Sequence, residues 1–107
     1  MAAQVIHFGG DDCYRVPVLR AAGFEVRAVR SLNKLRVGLQ SDGQVDAVIV
    51  SEAEPQCAEK AAVIMRQHSG APLILFRRPG VALDESRFDR VYDSLVPGAY
   101  WLLKRQS

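Results

Sequence analysis

Asp46-Ala47-Val48-Ile49-Val50-Ser51-Glu52-Ala53-Glu54-Pro55 sets an unbroken apolar run between acidic residues and closes on a proline. A strand with one wet face alternates apolar and polar residues. Ala47 to Val50 does not alternate, so it reads as a central strand of a parallel sheet, covered on both faces. Leu73-Ile74-Leu75-Phe76 reads the same way, and Val5-Ile6-His7-Phe8 is a third run, stopped by Gly9-Gly10. Phe24-Glu25-Val26-Arg27-Ala28-Val29 does alternate, which predicts an edge strand with one solvated face. Arg90-Val91-Tyr92 is a shorter fifth candidate.

The intervals between these runs carry helical spacing. Val16 to Ala22 closes on Gly23, a residue suited to the left-handed end of a helix. Ser31 is placed to cap a helix with Leu32, Leu35 and Leu39 on one face. Ala58, Ala61, Ala62 and Met65 recur at i, i+3, i+4 and i+7, and Gly70 follows. Pro97 suits the first turn of a last helix through Trp101 and Leu102. The interval from Arg77 to Arg90 differs, because Pro79-Gly80 leaves room only for a short helical piece near Leu83 to Arg87. Parallel strands joined by right-handed crossovers give a doubly wound, three-layer α/β sandwich around a five-stranded sheet, here with a shortened fourth helix. No linker, repeat or low-complexity segment interrupts the pattern, so residues 1–107 read as one domain with no separate output domain.

At 107 residues the chain can bury a core without disulfides or metals. Its 14 basic and 12 acidic side chains leave a formal charge of +2. The densest basic clusters, Arg77-Arg78 and Lys104-Arg105, are too small for the basic face of a nucleic-acid binder, and the charges read as solvated surface. Cys13 and Cys57 stand far apart with no CxxC partner, which predicts free thiols in a reducing compartment. Met1-Ala2-Ala3-Gln4-Val5 lacks the basic and apolar regions of a signal peptide, and no window reaches the length of a membrane span. The expected location is the cytoplasm, with neither membrane nor nucleic acid as partner.

In open parallel sheets, binding and chemistry gather at the carboxyl ends of the strands. Those ends carry Gly9, Gly10, Asp11 and Asp12; then Ser51, Glu52, Ala53 and Glu54; then Arg77 and Arg78; and finally Asp93 and Ser94. Gly9-Gly10 lacks the Lys-Ser/Thr of a P-loop and the third glycine of a dinucleotide fingerprint, so it reads as a tight turn. His7, with no second ligand near it in sequence, reads as a packed core histidine. His68 closes a helix, where an imidazolium suits the dipole.

Asp46 to Pro55, Gly23-Phe24-Glu25-Val26 and Ala71-Pro72-Leu73-Ile74-Leu75, in this order and at these intervals, resemble the receiver domains of bacterial two-component response regulators. The resemblance covers nearly the whole chain. It implies a flavodoxin-like sheet of order 2-1-3-4-5 and a place in phosphorelay signalling. The functional residues do not carry over. The family's acidic pair falls on Gly9 and Gly10, and its phosphoacceptor Asp on Ser51. Its Ser/Thr falls on Arg77, its Lys on Asp93 with Ser94 in place of the following Pro, and its switch aromatic on Arg90. Two glycines offer Mg²⁺ no carboxylate. A serine hydroxyl without a base is a weak nucleophile, and Asp93 would repel a phosphate. The expectation is a degenerate, phosphorylation-independent receiver with no catalytic residue, metal or cofactor, which binds another signalling protein or itself as a homodimer.

A second reading stays open, a domain that binds a small ligand or a divalent ion. Asp11, Asp12, Glu52 and Glu54 can form a carboxylate cluster at the same edge, joined by the arginines, although Asp11 or Asp12 can equally cap the first helix. Arg77 and Asp93, on adjacent strand ends, are candidates for an ion pair. Gly98-Ala99 and Lys104 echo a signature of the family, but that register leaves no last helix, and Pro97 is preferred as its start. Phe88, Tyr92, Tyr100 and Trp101 are interface candidates near the family's output face, or they close the core. No helix-turn-helix segment lies beyond the receiver-like core, which argues against a DNA-binding regulator.

Overall fold

Burial follows the apolar runs closely. The computed structural model describes residues 3–10, 14–41, 45–51, 55–77 and 85–93. Its elements are β1 (Gln4–Gly9), α1 (Arg15–Ala21), β2 (Glu25–Val29), α2 (Leu32–Ser41), β3 (Ala47–Ser51), α3 (Pro55–His68), β4 (Leu73–Arg77), a 3-10 turn (Glu85–Arg87) and β5 (Arg90–Asp93). The strands pair in parallel in the order β2-β1-β3-β4-β5. This is the doubly wound, flavodoxin-like topology that the alternation and the resemblance predicted. Every residue of β3 is buried, as its unbroken apolar run requires, while Glu25, Arg27 and Ala28 of the edge strand β2 are exposed.

The sheet divides the core in two. On one face Ile6, Phe8, Val48, Val50, Leu73 and Leu75 meet Leu35 and Leu39 of α2 and Ala58, Ala61, Ala62 and Met65 of α3. The predicted alanine face of α3 is wholly buried; small side chains let the helix lie close to the sheet. On the other face Val5, Ala47, Ile49, Ile74 and Phe76 meet Leu19 of α1. Phe88 belongs to the first cluster and is buried there, so this interface candidate is a core residue. His7 is buried in β1, as a core histidine should be.

Local chemistry sets the ends. Ser31 Oγ accepts the Lys34 N–H at 3.1 Å and caps α2. After α1, Gly23 takes φ 97°, its N–H donates to Arg20 and the Phe24 N–H donates to Leu19, a Schellman closure that the glycine permits. The start of α1 departs from expectation. The helix begins at Arg15, one residue early, and its N-cap position is Tyr14, at φ 56° and ψ 39° with no side-chain cap. Asp11 and Asp12, the expected caps, lie outside the described residues. At the start of β4, Asp89 Oδ2 accepts the Leu73 N–H and an Arg66 N–H, each at 2.7 Å. The backbone bond from Leu73, opposed in part by desolvation and aided by Arg66, holds the Asp89 carboxyl below its usual range. Between Arg77 and Arg90 the described residues form the turn Glu85–Arg87, and residues 78–84, where the rest of the short helical piece near Leu83 to Arg87 was expected, lie outside the described residues. The last helix expected from Pro97, together with Gly98, Ala99, Tyr100, Trp101 and Lys104, lies outside the described residues.

Candidate functional site

The register of the sheet brings the strand ends level. Gly9 stands opposite Ser51, Ser51 opposite Phe76, Phe76 opposite Tyr92, and Arg77 opposite Asp93. Gly9, Ser51, Arg77 and Asp93 therefore stand along one edge, with Gly10 directly after Gly9. Gly9 has φ 109°, and a Cβ built on it would stand 2.1 Å from the Ser51 carbonyl oxygen. The Gly10 N–H donates to that same oxygen at 3.1 Å. The backbone of β1 is thus drawn against β3 where a receiver would raise its first carboxylate. The position has lost the space for a side chain as well as the side chain itself.

That edge contains a residue the sequence reading did not single out. Arg15, at the first position of α1, is only 2% exposed. Its guanidinium donates to Ser51 Oγ at 2.8 Å and lies over the Phe76 ring, 4.0 Å from the centroid. Phe76 in turn stacks on Tyr92, with centroids 5.5 Å apart and planes at 26°. A planar cation on an aromatic face contributes up to about 2 kcal/mol when desolvated, and a hydrogen bond from a charged donor is stronger than a neutral one. Ser51 is therefore held by a positive charge, which Phe76 and Tyr92 brace with their stacked rings.

The signal for Arg15 was present but weak. Arg15, Val16 and Leu19 are the buried residues of α1, and i, i+4 spacing puts Arg15 on the face of Leu19. A helix read from Val16 puts Arg15 in the preceding loop, where a basic side chain reads as solvated. Composition cannot separate one buried arginine from the exposed ones around it.

The other arginine goes elsewhere. Side chains alternate along β4, so Phe76 faces Arg15 while Arg77 turns to the opposite side. There Arg77 forms an ion pair with Glu85 of the 3-10 turn. Asp93 is its backbone neighbour across β5, but the Asp93 side chain lies outside the described residues. Tyr92 is half-buried against the core through its ring stack on Phe76. Asp11, Asp12, Glu52 and Glu54 also lie outside the described residues, as do Arg78 and Ser94. Among the described residues no three His, Cys, Asp or Glu side chains gather as a metal site would need. Mg²⁺ does not fit the described edge, since the glycines supply no carboxylate and a guanidinium already engages Ser51. Nor is any helix among the described residues long and apolar enough to cross a membrane.

Comparison with known proteins agrees with this architecture. The receiver domain of the hybrid histidine kinase CckA superposes with a TM-score of 0.72 at 16% identity, over 97% of this chain and 96% of that one. The N-terminal domain of the nisin resistance regulator NsrR, a lantibiotic response regulator, gives 0.75 at 13% identity, over 99% and 97%. A signal receiver domain of an HD domain-containing protein from Pseudomonas fluorescens Pf-5 gives 0.71 at 19% identity, over 99% and 94%. No family model matches the chain, and no curated protein matches it in sequence. The likeness is one of fold, and the chain has the receiver fold.

Proposed function

We propose that the chain is a phosphorylation-independent signalling module, a pseudo-receiver that acts in the cytoplasm by binding another protein and catalyses no reaction. The observation that carries this reading is the buried Arg15–Ser51 bond over Phe76. A receiver's switch needs carboxylates for Mg²⁺, a nucleophilic aspartate and an open position for the phosphoryl group. Here the nucleophile's place holds a hydroxyl that already accepts a hydrogen bond from a cation, and Gly9 has no room for a carboxylate. A hydroxyl that already accepts from a guanidinium is a weak nucleophile unless a base takes its proton. What the fold retains is a rigid sheet that presents helices, which suits recognition rather than chemistry.

The test is exposure of the chain to Mg²⁺ with acetyl phosphate, and separately with beryllofluoride, followed by mass spectrometry and backbone NMR. The expected result is an unmodified mass and unmoved resonances at Gly9, Ser51 and Phe76. A phosphoryl group on Ser51, or saturable shifts along that edge, overturns the reading. Saturable heat with divalent cations alone would instead favour an ion-binding domain.

A further inference from the structure

On the face of the molecule opposite Arg15, α2, α3 and the 3-10 turn leave a groove of about 560 Å³. Leu32 of α2 and Val63 and Ile64 of α3 form its apolar floor, and Val63 is 40% exposed. Arg36, Lys60 and Arg87 stand exposed around it. We propose that this groove is a docking site for an acidic amphipathic helix of a partner protein. The proposal rests on the reading of the chain as an interaction module, and it names the surface and the chemistry of the partner.

In a strand–helix–strand unit the crossover normally lays a helix on the sheet beside its neighbours. In the described part of the crossover from β4 to β5, only the turn Glu85–Arg87 stands beside α3, and its Arg87 reaches the rim of the groove. Leu32 and Arg36 on α2 are one turn apart, as are Lys60 and Ile64 on α3. These i, i+4 ridges frame a channel into which a third helix can lay its own apolar ridge.

The charge selects the occupant. Among the described residues, three cations line the groove against one carboxylate, Glu59. Among the described residues, the carboxylates near the 3-10 turn are already taken, Glu85 by Arg77 and Asp89 by Arg66. They neither neutralise this rim nor offer a second copy of the chain a free acidic surface to place there. The complement is a helix with apolar residues at i and i+4 flanked by Asp or Glu.

The experiment selects binders from a displayed library of helical peptides with randomised surface positions, using the full chain as bait. The selected peptides are then titrated into labelled chain by NMR. The expected result is enrichment of acidic peptides with an i, i+4 apolar pair, and shifts confined to Leu32, Arg36, Lys60, Val63, Ile64 and Arg87. The exposed double reversal K60E/R87E should weaken those peptides about tenfold or more and flatten their salt dependence, with an unchanged melting temperature. Selection of no binder, of peptides without acidic excess, or of peptides that shift another face overturns the proposal. So do shifts at these residues on concentrating the chain alone, which would give the groove to a second copy. Binders that map to another face sink only the groove, whereas phosphorylation of Ser51 sinks the interaction-module reading itself.

Discussion

Gly9 stands where no side chain fits without moving the backbone. Any side chain there meets two obstacles together, a backbone at φ 109° and the Ser51 carbonyl oxygen 2.1 Å from the new Cβ. Gly9→Ala should therefore cost about 3–5 kcal/mol or abolish folding. Gly70→Ala, where nothing lies within 4 Å of a Cβ, should stay within about 0.5 kcal/mol of the parent. Urea melts of the two variants give the comparison, and equal midpoints would refute the close approach. Arg15 is the second test. Removing it to alanine deletes a charged hydrogen bond, the contact with Phe76 and a packed stem, so Arg15→Ala should lose about 2–4 kcal/mol. Arg15→Met keeps most of the stem and removes the desolvation penalty of a buried cation, and it should lose distinctly less. If the two variants melt together, the packed stem contributes nothing and the charge carries the whole effect.

Asp89 joins three elements, since it accepts from Leu73 at the start of β4 and from Arg66 of α3 while sitting just before β5. Its folded pKa lies below its ordinary value of 3.8. The ionised carboxylate therefore adds stability at pH values above the unfolded pKa, and that contribution disappears as pH falls through the lower, folded pKa. Asp89→Asn should cost about 1 kcal/mol near neutrality, a modest figure because the carboxylate is half exposed. The gap between parent and variant should hold from pH 7 to pH 5 and narrow progressively as pH falls below about 4. Denaturant midpoints measured from pH 7 downward check it, and a gap that does not narrow as the pH falls below about 4 would assign the loss to packing instead. The elements themselves were largely legible in the sequence, because Ala47–Val50 and Leu73–Phe76 had to be central strands and Ser31 had to cap a helix. The altered edge was legible only as a set of absences. What fills it was hidden, because Arg15 reaches Ser51 and Phe76 across long sequence separations that no local period records. The Arg77–Glu85 pair was missed for a related reason, since the alternation of β4 turns Arg77 away from the edge on which it was expected.

A ligand that binds only the folded chain stabilises it wherever its site lies, and this gives a test on the molecule as a unit. Any ligand that binds only the folded chain adds RT ln(1 + [L]/Kd), about 2.7 kcal/mol at a hundredfold excess over Kd. In a domain of this length that would raise the melting temperature by roughly 10–20 °C. The edge described here has a guanidinium in place and no described carboxylate for a cation, so Mg²⁺ with beryllofluoride should move the melting temperature no more than the same ionic strength of NaCl. An acidic peptide from the library selection, at a hundredfold excess over its Kd, should give the full shift, because α2 and α3 pack on β1 and β3 at the centre of the sheet. A rise with beryllofluoride and none with peptide would invert the assignment. It would return the chain to phosphate-responsive chemistry at the strand ends and leave the α2–α3 groove as mere surface.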